Sequence, residues 1–271
     1  MKTLRVIGTV FFTIFFGLPL FWLVSTSLKQ ELQIGSSDLI WFPTKPDWAN
    51  YSEAVNRSGI LVAAWNSLWI STVSAFITTA VTAPAAYLVA QSKGWFSKVA
   101  TGWVLSSQVF PSILTVFPLF LIYVKIGLFN TFTGAIILYV IFNLPFSLWL
   151  QRGFVKNVPT EILEAGRIDG ASGLKVLRYV VLPLILPGSI VVFIYAFINT
   201  WNNFLVATVF LQGNEKQTLT TQLARFIGTE GLGLFGPFAA ATVLSVIPTL
   251  LLFIVLQRKF TANLVAGAVK S

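Results

Sequence analysis

The chain has 271 residues, of which 56% are hydrophobic, 15% aromatic and only 10% charged, and 18 Lys and Arg against 9 Asp and Glu leave a net charge of +9. A soluble domain carries about 25% charged residues, so this composition points to a membrane protein. Neither cysteine nor histidine occurs, which excludes disulfides, thiolate chemistry, Cys/His zinc sites and imidazole acid–base catalysis.

The apolar residues are clumped into runs of about 20, the length a helix needs to cross a hydrocarbon core roughly 30 Å thick. Six spans are predicted, at 6–28, 64–90, 99–124, 133–150, 184–210 and 238–256. The first follows MKTLR, but its apolar run exceeds a signal-peptide core and no small-residue cleavage site follows it, so it reads as an uncleaved anchor. The fold class expected is an all-α membrane protein of six transmembrane helices.

Lysine and arginine set the orientation. With the N-terminus inside, the inner segments hold Lys2, Arg5, Lys93, Lys98, Arg152, Lys156, Arg167, Lys175, Arg178, Arg258, Lys259 and Lys270, twelve in all, against six outside. That asymmetry favours both termini in the cytoplasm. Glu161, Glu164 and Asp169 are the only inner acids, so the whole net charge of +9 falls on that side. The basic balance therefore reflects topology, and no nucleic-acid partner is expected.

Two outer segments are long. In 29–63, WFPTKPDWANYSEAV has prolines that break regular structure, followed by a short surface helix from about Asp47 to Val55. In 211–237, TLTTQLARF forms a short helix with Leu219, Leu223 and Phe226 on one side. A glycine-rich return, GTEGLGLFG, carries Gly228, Gly231, Gly233 and Gly236. The return lacks the lysine of a phosphate-binding loop, so the chain is not expected to hydrolyse ATP. Each segment serves either as a cap over the span ends or as a receiver for a partner.

No span contains Asp, Glu, Lys or Arg. A charge at mid-bilayer costs on the order of 3 kcal/mol, and ion- or proton-coupled carriers keep such residues for function, so their absence argues against that class. The intramembrane polar residues are amides and hydroxyls, among them Gln108, Asn143, Asn199, Asn202 and Asn203. They either bond across helices or serve for hydroxyl recognition, with Trp201 as an apolar plate beside them. Prolines at Pro84, Pro111, Pro118, Pro145 and Pro248 free backbone groups within the predicted spans.

Between the fourth and fifth spans lies EILEAGRIDGASGLKVLRYVVLPLILPG, charged and glycine-punctuated. Thr160 caps a helix with Glu161 in its favourable first turn, and Asp169-Gly170 ends it with glycine in the left-handed position. A second helix from about Ser172 to Val181 puts Leu174, Leu177 and Val181 on one face and Lys175 and Arg178 on the other, before Pro183. The product is a rigid helix–turn–helix knuckle over 157–183, either lying on lipid headgroups or offering another protein a close approach.

Glu164-Ala165-Gly166-x-x-Asp169-Gly170-Ala171, followed by Leu182-Pro183, resembles the EAA loop of ABC-importer permeases. Gly166 stands where the family has a second alanine, and Leu177 where phenylalanine is common. PLFLIYVKIGLFNTFTGAII, LPFSLWL, NTWNNFL and the tail NLVAGAVKS are similar to the carbohydrate branch, in particular to the smaller six-span permease of maltose-type importers. The resemblance implies one permease domain over 1–271 with type I importer architecture in a bacterial or archaeal cell membrane. Its implied partners are a second permease in a heterodimer, two ABC ATPase subunits and an extracytoplasmic solute-binding protein, with a sugar as cargo.

It further implies that this chain holds no cofactor or metal of its own, ATP and Mg being bound by the ATPases. Glu164 to Gly166 and Asp169 to Ala171 would couple to an ATPase, and Ala266, Gly267, Ala268, Val269 and Lys270 of the tail would touch the ATPase interface. The glycine-rich return would reach the binding protein. Glycerol-phosphate and polyol importers share these motifs, so either cargo is an alternative, as is an ATPase-independent carrier or channel.

Overall fold

The computed structural model describes residues 2–56, 59–92, 94–95, 99, 102, 104, 106–107, 110–228 and 234–268. The backbone gathers into two compact units, Met1–Ala64 with Thr218–Thr249 and Trp65–Gln217 with Leu250–Ser271.

The first unit begins with α1 (Lys2–Ser27) and continues through the short helices α2 (Glu31–Ile34) and α3 (Ala49–Asn56). Its Asp47 carboxylate accepts from the Ala49 N–H at 3.0 Å, which starts α3 close to where the charge pattern places it. Asn50, buried on α3, donates to the carbonyl oxygens of Ser27 at 3.1 Å and Lys29 at 2.9 Å. These bonds satisfy carbonyls that the end of α1 would otherwise leave without partners. Later in the chain, α11 (Leu219–Gly228) buries Leu219 and Phe226, as the periodicity predicts, together with Gln222.

The second unit is built on α4 (Ile60–Gln91), α5 (Ser112–Lys125), α6 (Phe132–Lys156) and α9 (Leu182–Trp201). One apolar core joins Ile70, Val116, Tyr123, Leu138, Tyr139, Val206 and Phe210. A second joins Ala83, Ala86, Tyr87, Val155, Leu163, Val176, Val181 and Ile185. Between such helices small and hydroxyl side chains substitute for bulk: Ser71, Ser74, Thr78 and Thr82 on α4 are buried, as are Asn143, Ser147 and Gln151 on α6. Small residues let helix backbones approach, which is how apolar helices associate where lipid competes for every apolar face. At Gly188 the approach is so close that a methyl group would overlap the Phe154 ring.

Among the described residues five helices are long and apolar enough to cross a membrane: Thr3–Ser27, Ile60–Gln91, Phe132–Lys156, Gly173–Trp201 and Phe235–Leu256, the last belonging to α12 (Phe235–Ala268). The predicted spans at 99–124 and 184–210 are not single helices. Residues 110–111 are non-helical, with Pro111 at φ −62° and ψ 122° immediately before α5. Proline lacks an N–H and disfavours helical geometry at the preceding residue, so the chain breaks there. The 14 residues of α5 reach about 21 Å, short of a full crossing. In the later run α9 stops at Trp201, and α10 (Leu205–Phe210) restarts after a turn.

Candidate functional site

The knuckle is α7 (Thr160–Ile168) followed by α8 (Gly173–Val176). Thr160 is the first helical residue rather than the cap, a position taken by Pro159. Closure of α7 matches the Asp-Gly signal in detail. Gly170 has φ +78°, its N–H donates to the Arg167 carbonyl at 3.0 Å, and the Ala171 N–H donates to the Gly166 carbonyl at 3.1 Å. This pair of bonds is the Schellman arrangement, which satisfies the last carbonyls and holds the turn rigid.

Beyond the turn, the second helix does not stop at Val181. It passes through a π-helical turn, Leu177–Val181, directly into α9, with Pro183 at the start of that helix and Pro187 inside it. The wider turn keeps backbone groups bonded where two prolines withdraw their N–H groups. Val176, Leu177 and Val181 are buried against Leu163 and Val155, whereas Leu174, predicted on the packed face, is 75% exposed. Ile168 at the tip is 85% exposed. The change of helical pitch within the segment makes a constant 100° projection place Leu174 on the wrong side.

Glu164, Ala165, Asp169 and Gly170 are exposed, and Gly166 and Ala171 half-buried, so all six residues of the motif are reached by solvent. At Gly166 an added methyl would meet Val176 and Val180 at 3.6 and 3.7 Å, ordinary contact, so an alanine fits there. The Arg167 guanidinium donates to the Gln91 side-chain oxygen at 3.4 Å, tying the knuckle to the end of α4.

The two helix breaks border one cavity of about 290 Å³, with Phe110, Ser112 and Thr115 from the first break and Asn199, Asn203 and Leu205 from the second. Asn199 donates to the Asn143 oxygen at 2.7 Å, and Asn143 donates to Thr200 at 3.0 Å. Asn203 accepts from the Val206 N–H at 2.9 Å and so starts α10. Of the predicted amides, Asn199 and Asn203 line the cavity, Asn143 is buried behind them, Asn202 is exposed at the end of α9, and Gln108 lies outside the described residues.

Trp201 does not form the plate expected of it. It is 4% exposed and stacks on Phe197 at 5.8 Å, because it sits one helical turn beyond that ring on the buried side of α9. Sequence reasoning missed Ser107, Ser112, Thr115 and Tyr195 on the cavity wall. The legible signal of the first three was the cluster of hydroxyls flanking Pro111.

The remaining predicted contacts fall elsewhere. Gly228 ends α11, and Gly236 is the second residue of α12, pressed against Asn50. Gly231 and Gly233 lie outside the described residues, as do Val269 and Lys270, while Ala266, Gly267 and Ala268 form the last helical residues of α12.

The family model for the binding-protein-dependent transport system inner membrane component matches residues 82–264. The melibiose/raffinose/stachyose import permease protein MelC of Bacillus subtilis is 32% identical over 93% of this chain and 91% of its own. The trehalose transport system permease protein SugB of Mycobacterium tuberculosis is 32% identical over 93% of this chain and 92% of its own. Among solved structures, a bacterial ABC transporter involved in the import of the acidic polysaccharide alginate aligns with a TM-score of 0.78 over 96% of each chain at 20% identity, a likeness of fold. With an apolar helical fold of that kind and a family match over most of its length, the chain belongs to the binding-protein-dependent transport system inner membrane components: it is a multi-pass permease subunit of an ABC importer, a transport component and not an enzyme.

Proposed function

We propose that the chain forms one wall of the passage through a sugar importer, in a heterodimer with a second permease and with both termini cytoplasmic. Two ATPase subunits bind ATP and Mg and hydrolyse the nucleotide, and one of them grips the knuckle at Glu164 to Gly166 and Asp169 to Ala171. An extracytoplasmic binding protein delivers the cargo. ATP-driven closure of the ATPase pair then pushes the knuckle, and because its second helix is continuous with α9 through Leu177–Val181, that push is delivered along α9 to the turn at Asn202. Alternating access needs such a two-state element.

The observation that carries the cargo assignment is the cavity between the two helix breaks. Broken helices are tolerated at membrane depth where they line a cavity, and there they leave polar groups for a solute. The wall offers hydroxyls and amides, from Ser112, Thr115, Tyr195, Asn199 and Asn203, interleaved with Phe110 and Phe142, and among the described residues no charged side chain. That chemistry suits the hydroxyls and apolar faces of a neutral sugar, in keeping with the raffinose- and trehalose-type relatives. It disfavours a phosphate-bearing cargo, whose charge would find no cation there.

The test is reconstitution of the assembled importer in proteoliposomes with its binding protein and labelled solutes. ATP-dependent accumulation of a neutral oligosaccharide, with a sugar phosphate left outside, is the expected result. Equal uptake of the phosphate ester would overturn the cargo class.

A further inference from the structure

Asn130 stands in the loop between α5 and α6, and among the described residues it is the one non-glycine with a positive φ, 54°. Asparagine tolerates that left-handed geometry because its short polar side chain bonds nearby backbone. Here all three of its polar groups reach one distant segment. The Asn130 N–H donates to the Phe210 carbonyl at 3.1 Å, and its side-chain oxygen accepts from the Gln212 N–H at 2.9 Å. Its own carbonyl accepts from the Lys216 ammonium at 2.7 Å, a charge-assisted bond and so the stronger kind. From α4, Asn66 donates to the Glu215 and Gln217 carbonyls at 2.8 and 2.9 Å and holds the far end of the same segment.

What these bonds hold is α10. Its 6 residues are too few for a helix to persist alone, so its position is set by what it is fastened to. The Asn203 side chain fixes its start and Asn130 its end. Between them, Val206 and Phe210 are buried in the core that includes Val116 and Tyr123 of α5. The Phe210 ring meets Tyr123 at 5.3 Å and Phe120 at 6.4 Å. Both short helices begin at the cavity between the helix breaks, α5 with Ser112 and Thr115 and α10 with Leu205 and Val206. Both also end at Asn130. Its loop is folded back on α5 by the Leu128 and Phe129 N–H groups, which donate to the Tyr123 carbonyl at 3.0 and 3.1 Å.

We propose that Asn130 is a positioning residue for transport: it fastens the far ends of α5 and α10 so that the two helices move as one panel. The panel keeps the spacing of the groups that their near ends present to the solute. This role rests on the reading of that cavity as the cargo passage. Without the fastening, α10 tilts about the turn at Asn202 and the wall loses its shape, while the knuckle and the ATPases still work. ATP is then hydrolysed without solute being carried.

The assembled importer in proteoliposomes, with its binding protein and the labelled neutral oligosaccharide of the cargo test, gives the solute accumulated per ATP hydrolysed. Partial misfolding lowers uptake and hydrolysis together and leaves that ratio alone, so the ratio separates positioning from stability. Asn130→Gly keeps the left-handed backbone but removes the side-chain acceptor, and the ratio should fall at least threefold. Asn130→Asp keeps both features and should restore it. A wild-type ratio in Asn130→Gly overturns the proposal, as does an Asn130→Asp protein no better than Asn130→Gly. Failure of the cargo reading shows differently, as wild-type uptake of a sugar phosphate in place of the oligosaccharide. The panel is also tested without cargo. The chain has no cysteine, so spin labels at Phe117→Cys and Thr208→Cys, both exposed positions, report the distance from α5 to α10 in an otherwise cysteine-free complex. With Asn130 in place that distance should agree within about 2 Å between nucleotide-free and ATP-trapped complexes, and Asn130→Gly should let it differ by more. A larger difference with Asn130 in place overturns the panel, as does an Asn130→Gly distance that stays equally constant.

Discussion

Asn199 on α9 donates to the amide oxygen of Asn143 on α6 across 2.7 Å, and Asn143 donates onward to the Thr200 hydroxyl. Asn143 is 1% exposed, whereas Asn199 borders the cavity between the helix breaks. Asn143→Leu removes both bonds and leaves Asn199 and Thr200 without those partners, at a cost of about 1–3 kcal/mol in stability. Thermal unfolding in detergent measures this. Asn199→Ala should change stability less, because water reaches that side, and should raise the KM for cargo in reconstituted uptake. An unchanged KM would confine Asn199 to helix packing.

Gly170 is held at φ +78° with open space around the position where a side chain would begin. The first side-chain carbon of Gly170→Val meets no neighbour, so the expected cost of about 1–3 kcal/mol comes mainly from backbone strain in the turn. The variant should insert and pair with the second permease, while binding-protein-stimulated ATP hydrolysis by the assembled complex falls at least tenfold. Full stimulation would show that the knuckle does not couple.

At Gly166 the expectation reverses. An alanine there makes ordinary contacts with Val176 and Val180 and removes the conformational freedom of glycine within α7. Gly166→Ala should stabilise by up to about 1 kcal/mol and leave uptake intact, as melting temperature and transport assays would show. A loss of uptake with the gain in stability would mean that the knuckle works through flexibility.

Gly236 belongs to the fold as well as to the predicted binding-protein loop. A methyl group there would fall 2.5 Å from the Asn50 amide oxygen, and Asn50 is the residue that ties α3 to the end of α1. Gly236→Ala should destabilise by about 1–3 kcal/mol, and Asn50→Ser in the same chain should relieve part of the loss, a coupling read from a double-mutant cycle. A fair test of the loop as a binding-protein contact therefore replaces residues 229–233 and keeps Gly236. Weaker stimulation of ATP hydrolysis with basal hydrolysis intact is the expected result. Unchanged stimulation would make the return a cap.

Much of the knuckle was legible because its signals are local. Glycine after aspartate chooses a left-handed turn through its own backbone freedom, and the bonds at Gly166 and Arg167 then close it whatever else surrounds them. Apolar run length likewise marks membrane helices, since solvent transfer is summed along the chain. Tertiary contacts decided the rest. Whether Leu174 is exposed depends on a π-turn that carries one helix into the next, and whether Trp201 is available depends on Phe197 and the packed side of α9. A cavity between the breaks at Pro111 and Asn202 exists only once α5, α6 and α9 are packed, because its wall is shared among segments some 90 residues apart. Composition determined that this chain lives in a membrane, and side-chain packing between distant helices decided where a cavity opens within it.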